Sequence, residues 1–211
     1  MKIALLLPSR GIVRTQLIQA LDRELKQIPH ERFFTHDLPI PECFTNLTQR
    51  ALKNPEFTHL WYVEEDIVPP PRSLKSLLDL DTAIAFVDYP IVKFPSPHCF
   101  KYFQGKLVWV GLGCTLVKRE VLENMELPWF SGKHQLIAIH RGSAQKSWEL
   151  QLREDPQRKY GGQDVYFCSK AVISGYNIGI VEGMQCGHDP VGSEGAAFYE
   201  THFEDKYAEQ V

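Results

Sequence analysis

The chain has 211 residues, 44% of them hydrophobic, which suffices for one sizeable core. Its formal charge of -3 gives no support to avid nucleic-acid binding by the chain as a whole. Cys43, Cys99, Cys114, Cys168 and Cys186 form no C-x-x-C pair, which argues against a disulfide framework or a zinc finger and for free thiols in a reducing, cytoplasmic setting.

Residues 2–7, apolar after Lys2, predict a first parallel-type strand. The run stops at Pro8, too short for a secretion signal, and no later run approaches a membrane span. Pro8-Ser9-Arg10-Gly11 follows as a loop. Val13, Leu17, Ile18, Leu21, Leu25 and Ile28 recur at helical spacing, predicting an amphipathic helix over 12–28. A strand over 32–35, a loop holding Asp37, and a helix over 44–52 come next. The strand over 59–63 runs straight into Glu64-Glu65-Asp66, and Pro69-Pro70 stop the chain from extending further. A helix over 72–80 and a strand over 82–87 complete a βαβαβαβ pattern, the signature of a mostly parallel sheet. Residues 88–106 read as irregular, aromatic and proline-rich. Two short strands, 107–111 and 114–118, join through Gly111-Leu112-Gly113, and a short helix covers 119–125. Residues 131–162 have weak periodicity and read as a long loop excursion. A helix over 164–174 ends at Gly175, a strand covers 176–181, and Cys186-Gly187-His188 follows. The tail after about 190 is not assigned.

In open α/β sheets the ligand crevice lies at the carboxyl ends of the strands. Acids directly after the 59–63 strand therefore face that crevice. Strand alternation would put Glu64 and Asp66 on one face and Glu65 on the other. Two such carboxylates can share Mg²⁺ or Mn²⁺, which favour oxygen ligands; the plain alternative is a solvated acidic turn. Read alone, Asp164 is a helix N-cap and His188 a hydrogen-bonded loop histidine. Gly111-x-Gly113 alone is a tight turn, since a dinucleotide fingerprint wants a third glycine leading into a helix. Ser9-Arg10 either holds a base or phosphate or caps the next helix.

Taken in order, these pieces resemble the GT-A glycosyltransferases, in particular the small family-two type. The matching pieces are the first strand ending Pro8-Ser9-Arg10, then Glu64-Glu65-Asp66-Ile67-Val68-Pro69, then Val110 through Arg119 with its two glycines. Gly162-Gln163-Asp164-Val165-Tyr166-Phe167 and Gly187-His188 complete the series. The metal motif begins with Glu64 where the family has Asp, which keeps a carboxylate. The helix start carries Gln163-Asp164 where the family has Glu-Asp, which keeps the acid that serves as base.

The resemblance implies one α/β domain over 1–211, a GT-A-like Rossmann-type fold with a mostly parallel central sheet. Its nucleotide-sugar half would cover 1–106 and a smaller acceptor side 107–211. It implies a metal-dependent transferase that moves a sugar from a nucleotide-diphosphate donor, a UDP-sugar first, to an acceptor hydroxyl with inversion. Glu64, Asp66 and, by analogy, His188 would bind Mn²⁺ or Mg²⁺, and Asp164 would be the general base. Pro8, Ser9, Arg10, Asp37 and Glu65 would surround the nucleoside, and Lys93 the donor phosphates or sugar. Gly111 and Gly113 would let the sugar lie against the backbone. A nucleotidyltransferase or an inactive nucleotide-sugar-binding module are the competing readings.

The acceptor is not named by the sequence: a glycan, a small molecule, a protein side chain or a hydroxymethylated DNA base all offer hydroxyls. DNA enters because Lys133, Arg141, Lys146, Arg153, Arg158 and Lys159 outnumber Glu149, Glu154 and Asp155 between 131 and 162. Trp148 and Tyr160 there could stack on bases. The small enzymes of phage DNA-modification systems offer the analogy. A solvated lid is the plainer account of the same charges.

Overall fold

The computed structural model describes residues 1–9, 11, 13–36, 38–91, 98–141, 147–155 and 162–188. Its centre is a six-stranded sheet in the order β11-β5-β8-β3-β1-β2. These strands are β1 (Ile3–Pro8), β2 (His30–Thr35), β3 (His59–Val63), β5 (Ile84–Asp88), β8 (Cys114–Lys118) and β11 (Ile178–Gln185). β1 pairs in parallel with β2 and β3, and β5 with β11, while β8 runs antiparallel to both β3 and β5. The fold is therefore a mixed α/β, Rossmann-like one with a mostly parallel sheet, as the alternating pattern predicted.

The sequence explains this order. β1 and β5 are wholly buried and, apart from Asp88 at the end of β5, apolar on both faces, as interior strands covered on both sides must be. Helix α1 (Thr15–Leu25) buries Leu17, Ala20, Leu21 and Leu25, the residues at helical spacing. Helix α2 (Ile40–Leu52) buries Cys43, Phe44, Leu47, Thr48 and Ala51. Thr48 donates to the Phe44 carbonyl at 2.8 Å and meets the Tyr62 hydroxyl at 2.7 Å, so the buried phenol of β3 is satisfied. Phe130 bridges the layers: its ring lies 5.3 Å from Phe44 and stacks at 5.1 Å on Phe167 of α5 (Gln163–Ile173). No described helix is long and apolar enough to cross a membrane.

Three small ladders were not anticipated. β6 (Phe100–Phe103), in the stretch expected to be irregular, makes a hairpin with β7 (Lys106–Val110), the strand expected over 107–111. β9 (His134–Arg141) and β10 (Ser147–Glu154) make a second hairpin inside the expected 131–162 loop. Its pattern is weak because Leu136, Ile137 and Ile139 are all half-buried, so neither face of β9 reads as cleanly polar. The third ladder pairs β4 (Ile67–Val68) with β12 (Gly187–His188), putting His188 opposite Ile67 and Gly187 opposite Val68. The short helices α3 (Ser73–Asp79) and α4 (Arg119–Asn124) complete the elements.

Candidate functional site

The site is assembled where the chain leaves β1, β3 and β5. β3 ends at Val63, and Glu64 to Ile67 form a turn closed by the Ile67 N–H on the Glu64 carbonyl at 3.1 Å. Strand alternation therefore does not extend through the acids, and Glu64 and Asp66 are not paired as strand neighbours. Glu65 turns inward: it is 4% exposed and accepts from Ser9 Oγ at 2.7 Å. Ser9 Oγ in turn accepts the Gly11 N–H at 2.9 Å. Ser9 and Glu65 thus join the loop after β1 to the turn after β3, while Pro8 closes β1 opposite Thr35.

Asp66 faces His188 instead. The β4–β12 ladder brings the two residues together, with Asp66 Oδ2 3.6 Å from His188 Nε2. Nδ1 of the same ring donates to the Pro90 carbonyl at 2.5 Å, and the ring meets that of Tyr89 edge-on at 5.7 Å. His188 is therefore fixed in rotation, with Nε2 as the nitrogen turned toward the carboxylate. Among the described residues, no group of three or more His, Cys, Asp or Glu side chains is gathered as a metal site. Of the expected set of Glu64, Asp66 and His188, the described contacts join Asp66 and His188.

Residues 88–90 tie the site together, and the sequence reading passed over them. Pro90 orients His188. Tyr89 lies under the glycines, and its hydroxyl accepts the Gly113 N–H at 3.2 Å. A Cβ on Gly111 would stand 2.0 Å from the Tyr89 hydroxyl oxygen, and one on Gly113 2.8 Å from its ring. Gly111 and Gly113 therefore make room for Tyr89. Asp88, fully buried, accepts the Cys99 N–H at 2.9 Å and Nδ1 of His98 at 2.6 Å. The Asp88 carbonyl accepts the Cys186 N–H at 2.7 Å, anchoring the end of β11.

Asp164 lies in the first turn of α5, whose N-cap is Gly162 with φ 86°. The capping role is therefore not Asp164's; its Oδ1 accepts the adjacent Val165 N–H at 2.8 Å. Its charge is felt at the same place as that of Glu64. Burial, and then the neighbouring Asp164 carboxylate, push the Cys99 thiol far up. Burial, then Cys99, Glu64 and Asp164, hold the Tyr89 hydroxyl well above the usual phenol range. Glu64 and Asp164, on two different elements, thus both act electrostatically on the buried Tyr89 and Cys99.

Arg10, Asp37 and Lys93 lie outside the described residues. So do Lys146, Arg158, Lys159 and Tyr160 of the basic excursion and the side chains of Arg141 and Trp148; Lys133 and Arg153 are exposed on the hairpin and its approach. A separate open groove of about 660 Å³ runs between α2 and residues 130–133, with Glu42, Asn46, Gln49 and Lys133 among its walls and none of the acids above.

No known protein family and no curated protein matches the sequence. Among solved structures, the crystal structure of A197 from STIV is similar with a TM-score of 0.60 at 18% identity, covering 90% of this chain and 86% of that one. That likeness shows the fold. A glycosyltransferase involved in the glycosylation of the major capsid of PBCV-1 overlaps with a TM-score of 0.37 at 14% identity, over 60% of this chain and 68% of that one, too slight to carry an argument.

Proposed function

We propose that this protein transfers a sugar from a nucleotide-diphosphate donor to a hydroxyl acceptor, with a divalent cation held between Asp66 and His188. The observation that carries the reading is the Asp66–His188 pair, 3.6 Å apart, with the second ring nitrogen of His188 bonded to Pro90. Metal-bound imidazoles characteristically donate their other N–H to a carbonyl or carboxylate, which fixes tautomer and orientation. One carboxylate and one imidazole suit Mn²⁺, or Mg²⁺, which takes few protein ligands and completes its shell with phosphate oxygens and water. Such an ion supplies charge neutralisation on the diphosphate as the glycosidic bond breaks.

The protein's own groups do the rest. Ser9 and Glu65 border the crevice at β1, where a nucleoside would enter. Asp164 takes the proton of the attacking hydroxyl; its charge acts on Tyr89, whose ring meets that of His188. Attack from that side inverts the anomeric centre. UDP is the first nucleotide to try, and the acceptor is a hydroxyl of a glycan, a small molecule or a modified base.

Release of UDP, GDP or dTDP from a panel of nucleotide sugars, with and without Mn²⁺, tests this. Mn²⁺-dependent release that disappears in Asp66→Ala is expected. Tight donor binding without release would make the protein a binding module. Pyrophosphate release from nucleoside triphosphates and sugar phosphates would make it a nucleotidyltransferase.

A further inference from the structure

The open groove of about 660 Å³ beside α2 has no part in the chemistry assigned so far. Its α2 wall carries Glu42, Asn46 and Gln49, spaced i, i+4 and i+7 along one helical face. That face runs about 10 Å along the helix, the span of a disaccharide. Asn46 and Gln49 are exposed, and each primary amide offers both donors and an acceptor. Such groups match the neighbouring hydroxyls of a sugar ring, each of which donates and accepts. Leu38 and Pro41 add an apolar surface against which the C–H face of a ring can lie.

The charge of the groove narrows the class of ligand. Among the described residues of its walls the charges are Glu42 and Lys133, one of each sign. A nucleic acid needs a row of cations to meet its phosphates. A peptide is held by a sheet edge or by a row of apolar anchor pockets. A helical wall of amides, facing prolines and balanced in charge, suits a neutral polyhydroxylated chain.

Two features place the groove near the reacting end of the fold. β1, β2 and β3 are parallel, so α2, which follows β2, starts at the same end of the sheet as the turn after β3. The far wall is tied to α5 by ring contacts. Phe130 stacks on Phe167 at 5.1 Å, and His134, next to Lys133, tilts against Tyr166 at 4.6 Å. Tyr166 and Phe167 follow Asp164 within a single turn of α5, at most about 4.5 Å along its axis.

We propose that this groove binds a neutral glycan chain, the acceptor of the transfer, with its reacting hydroxyl directed toward Asp164. The role of acceptor rests on the sugar-transfer reading above. Asn46 and Gln49 hold the chain through its hydroxyls, and Leu38 and Pro41 support a ring face.

The test is NMR titration of the full chain with neutral tetrasaccharides of glucose, mannose, galactose and N-acetylglucosamine. A DNA duplex and a serine-rich peptide are titrated beside them. Nucleotide release from UDP-, GDP- and dTDP-hexoses with Mn²⁺ is then followed with and without each tetrasaccharide. At least one tetrasaccharide should bind, keep its affinity as salt is raised, and accelerate release. The double variant Asn46→Ala/Gln49→Ala changes exposed side chains alone and should melt as wild type does. It should bind that tetrasaccharide roughly 30-fold more weakly, two hydrogen bonds at about 1 kcal/mol each and about 1.4 kcal/mol per decade. Its KM for the glycan should rise by the same factor.

If no tetrasaccharide binds, or if the double variant binds it like wild type, the proposal is overturned. Binding of DNA or of the peptide in place of a glycan, lost in the same variant, also overturns it and gives the groove to that partner. Nucleotide release that no tetrasaccharide accelerates leaves the sugar-transfer reading standing and overturns this inference alone. Groove-dependent glycan binding in a protein that neither binds nor cleaves a nucleotide sugar sinks the sugar-transfer reading, and the acceptor role with it.

Discussion

Gly111→Ala separates two explanations of the glycine pair. If the glycines exist to admit a ligand, the unliganded variant should be as stable as wild type and bind the donor poorly. If they exist to admit Tyr89, stability itself should fall. The new Cβ would lie 2.0 Å from the Tyr89 hydroxyl oxygen, 2.5 Å from Cys99 Sγ and 2.6 Å from Tyr89 Cζ. Ordinary contact begins near 3.4 Å, so both side chains must move by about an ångström or the strand must give. Neither is free to do so, since Tyr89 and Cys99 are 6% exposed and Gly111 N–H is bonded to the Cys99 carbonyl at 2.8 Å. Overpacking costs about 1–3 kcal/mol, and losing the Gly113–Tyr89 bond about 1 kcal/mol more. A total of about 2–4 kcal/mol corresponds to a melting-temperature drop of about 4–16 °C for a chain of this size. Thermal unfolding followed by circular dichroism without ligand is the assay. Partial recovery in Gly111→Ala/Tyr89→Leu, which removes the colliding hydroxyl, should accompany the loss. A single variant that melts within 1–2 °C of wild type would refute the reasoning, and weakened donor binding in that stable variant would restore the ligand explanation.

The other expectations are briefer. Asp66→Ala should weaken Mn²⁺-dependent nucleotide binding by roughly 100-fold while changing stability by less than about 0.5 kcal/mol, measured by calorimetry and melting; unchanged affinity removes Asp66 from the site. Asp164→Asn should bind donor normally and turn over roughly 10²–10⁴-fold more slowly, because an amide cannot take the proton; retained turnover would assign the proton elsewhere. Thr48→Val should cost about 1–3 kcal/mol in chemical denaturation, since the Tyr62 hydroxyl would then be buried without its 2.7 Å partner. Unchanged stability in that variant would mean that water reaches the Tyr62 hydroxyl.

How much of this was legible in the sequence depends on how local each signal is. β1, β3 and β8 were found within about a residue because each is a short apolar run bounded by turn residues. α1 was found because Leu17, Leu21 and Leu25 repeat on one face. The parallel sheet followed from the alternation of these elements. The β9–β10 hairpin was not legible, since apolar residues interrupt the period-two alternation that marks a strand. Within the site, Asp66 and His188 were both singled out, but their pairing rests on the two-residue β4–β12 ladder, which has no sequence signature. Glu64 was grouped with Asp66 by extending strand alternation past Val63, whereas residues 64–67 form a turn.

The Asp88–Pro90 segment shows why such a site resists reading. Asp88 acts through its carboxylate on His98 and Cys99, Tyr89 through its ring under Gly111 and Gly113, and Pro90 through its carbonyl on His188. Their partners lie as many as 98 residues away. None of the three carries a pattern of its own: a buried acid, a buried phenol and a proline carbonyl each look like ordinary core or turn residues. They gain meaning because β5 ends between β8 and β11, so that one residue step along the chain moves from one partner element to the next. The same placement makes the segment a coupling point. A displacement of Tyr89 is carried to Pro90 and so to the His188 ring, and to Asp88 and so to His98. Gly111→Ala should therefore lower Mn²⁺ affinity along with stability, although Gly111 touches neither Asp66 nor His188 in any hydrogen bond described here; a destabilised variant with wild-type Mn²⁺ affinity would show that the three residues act independently.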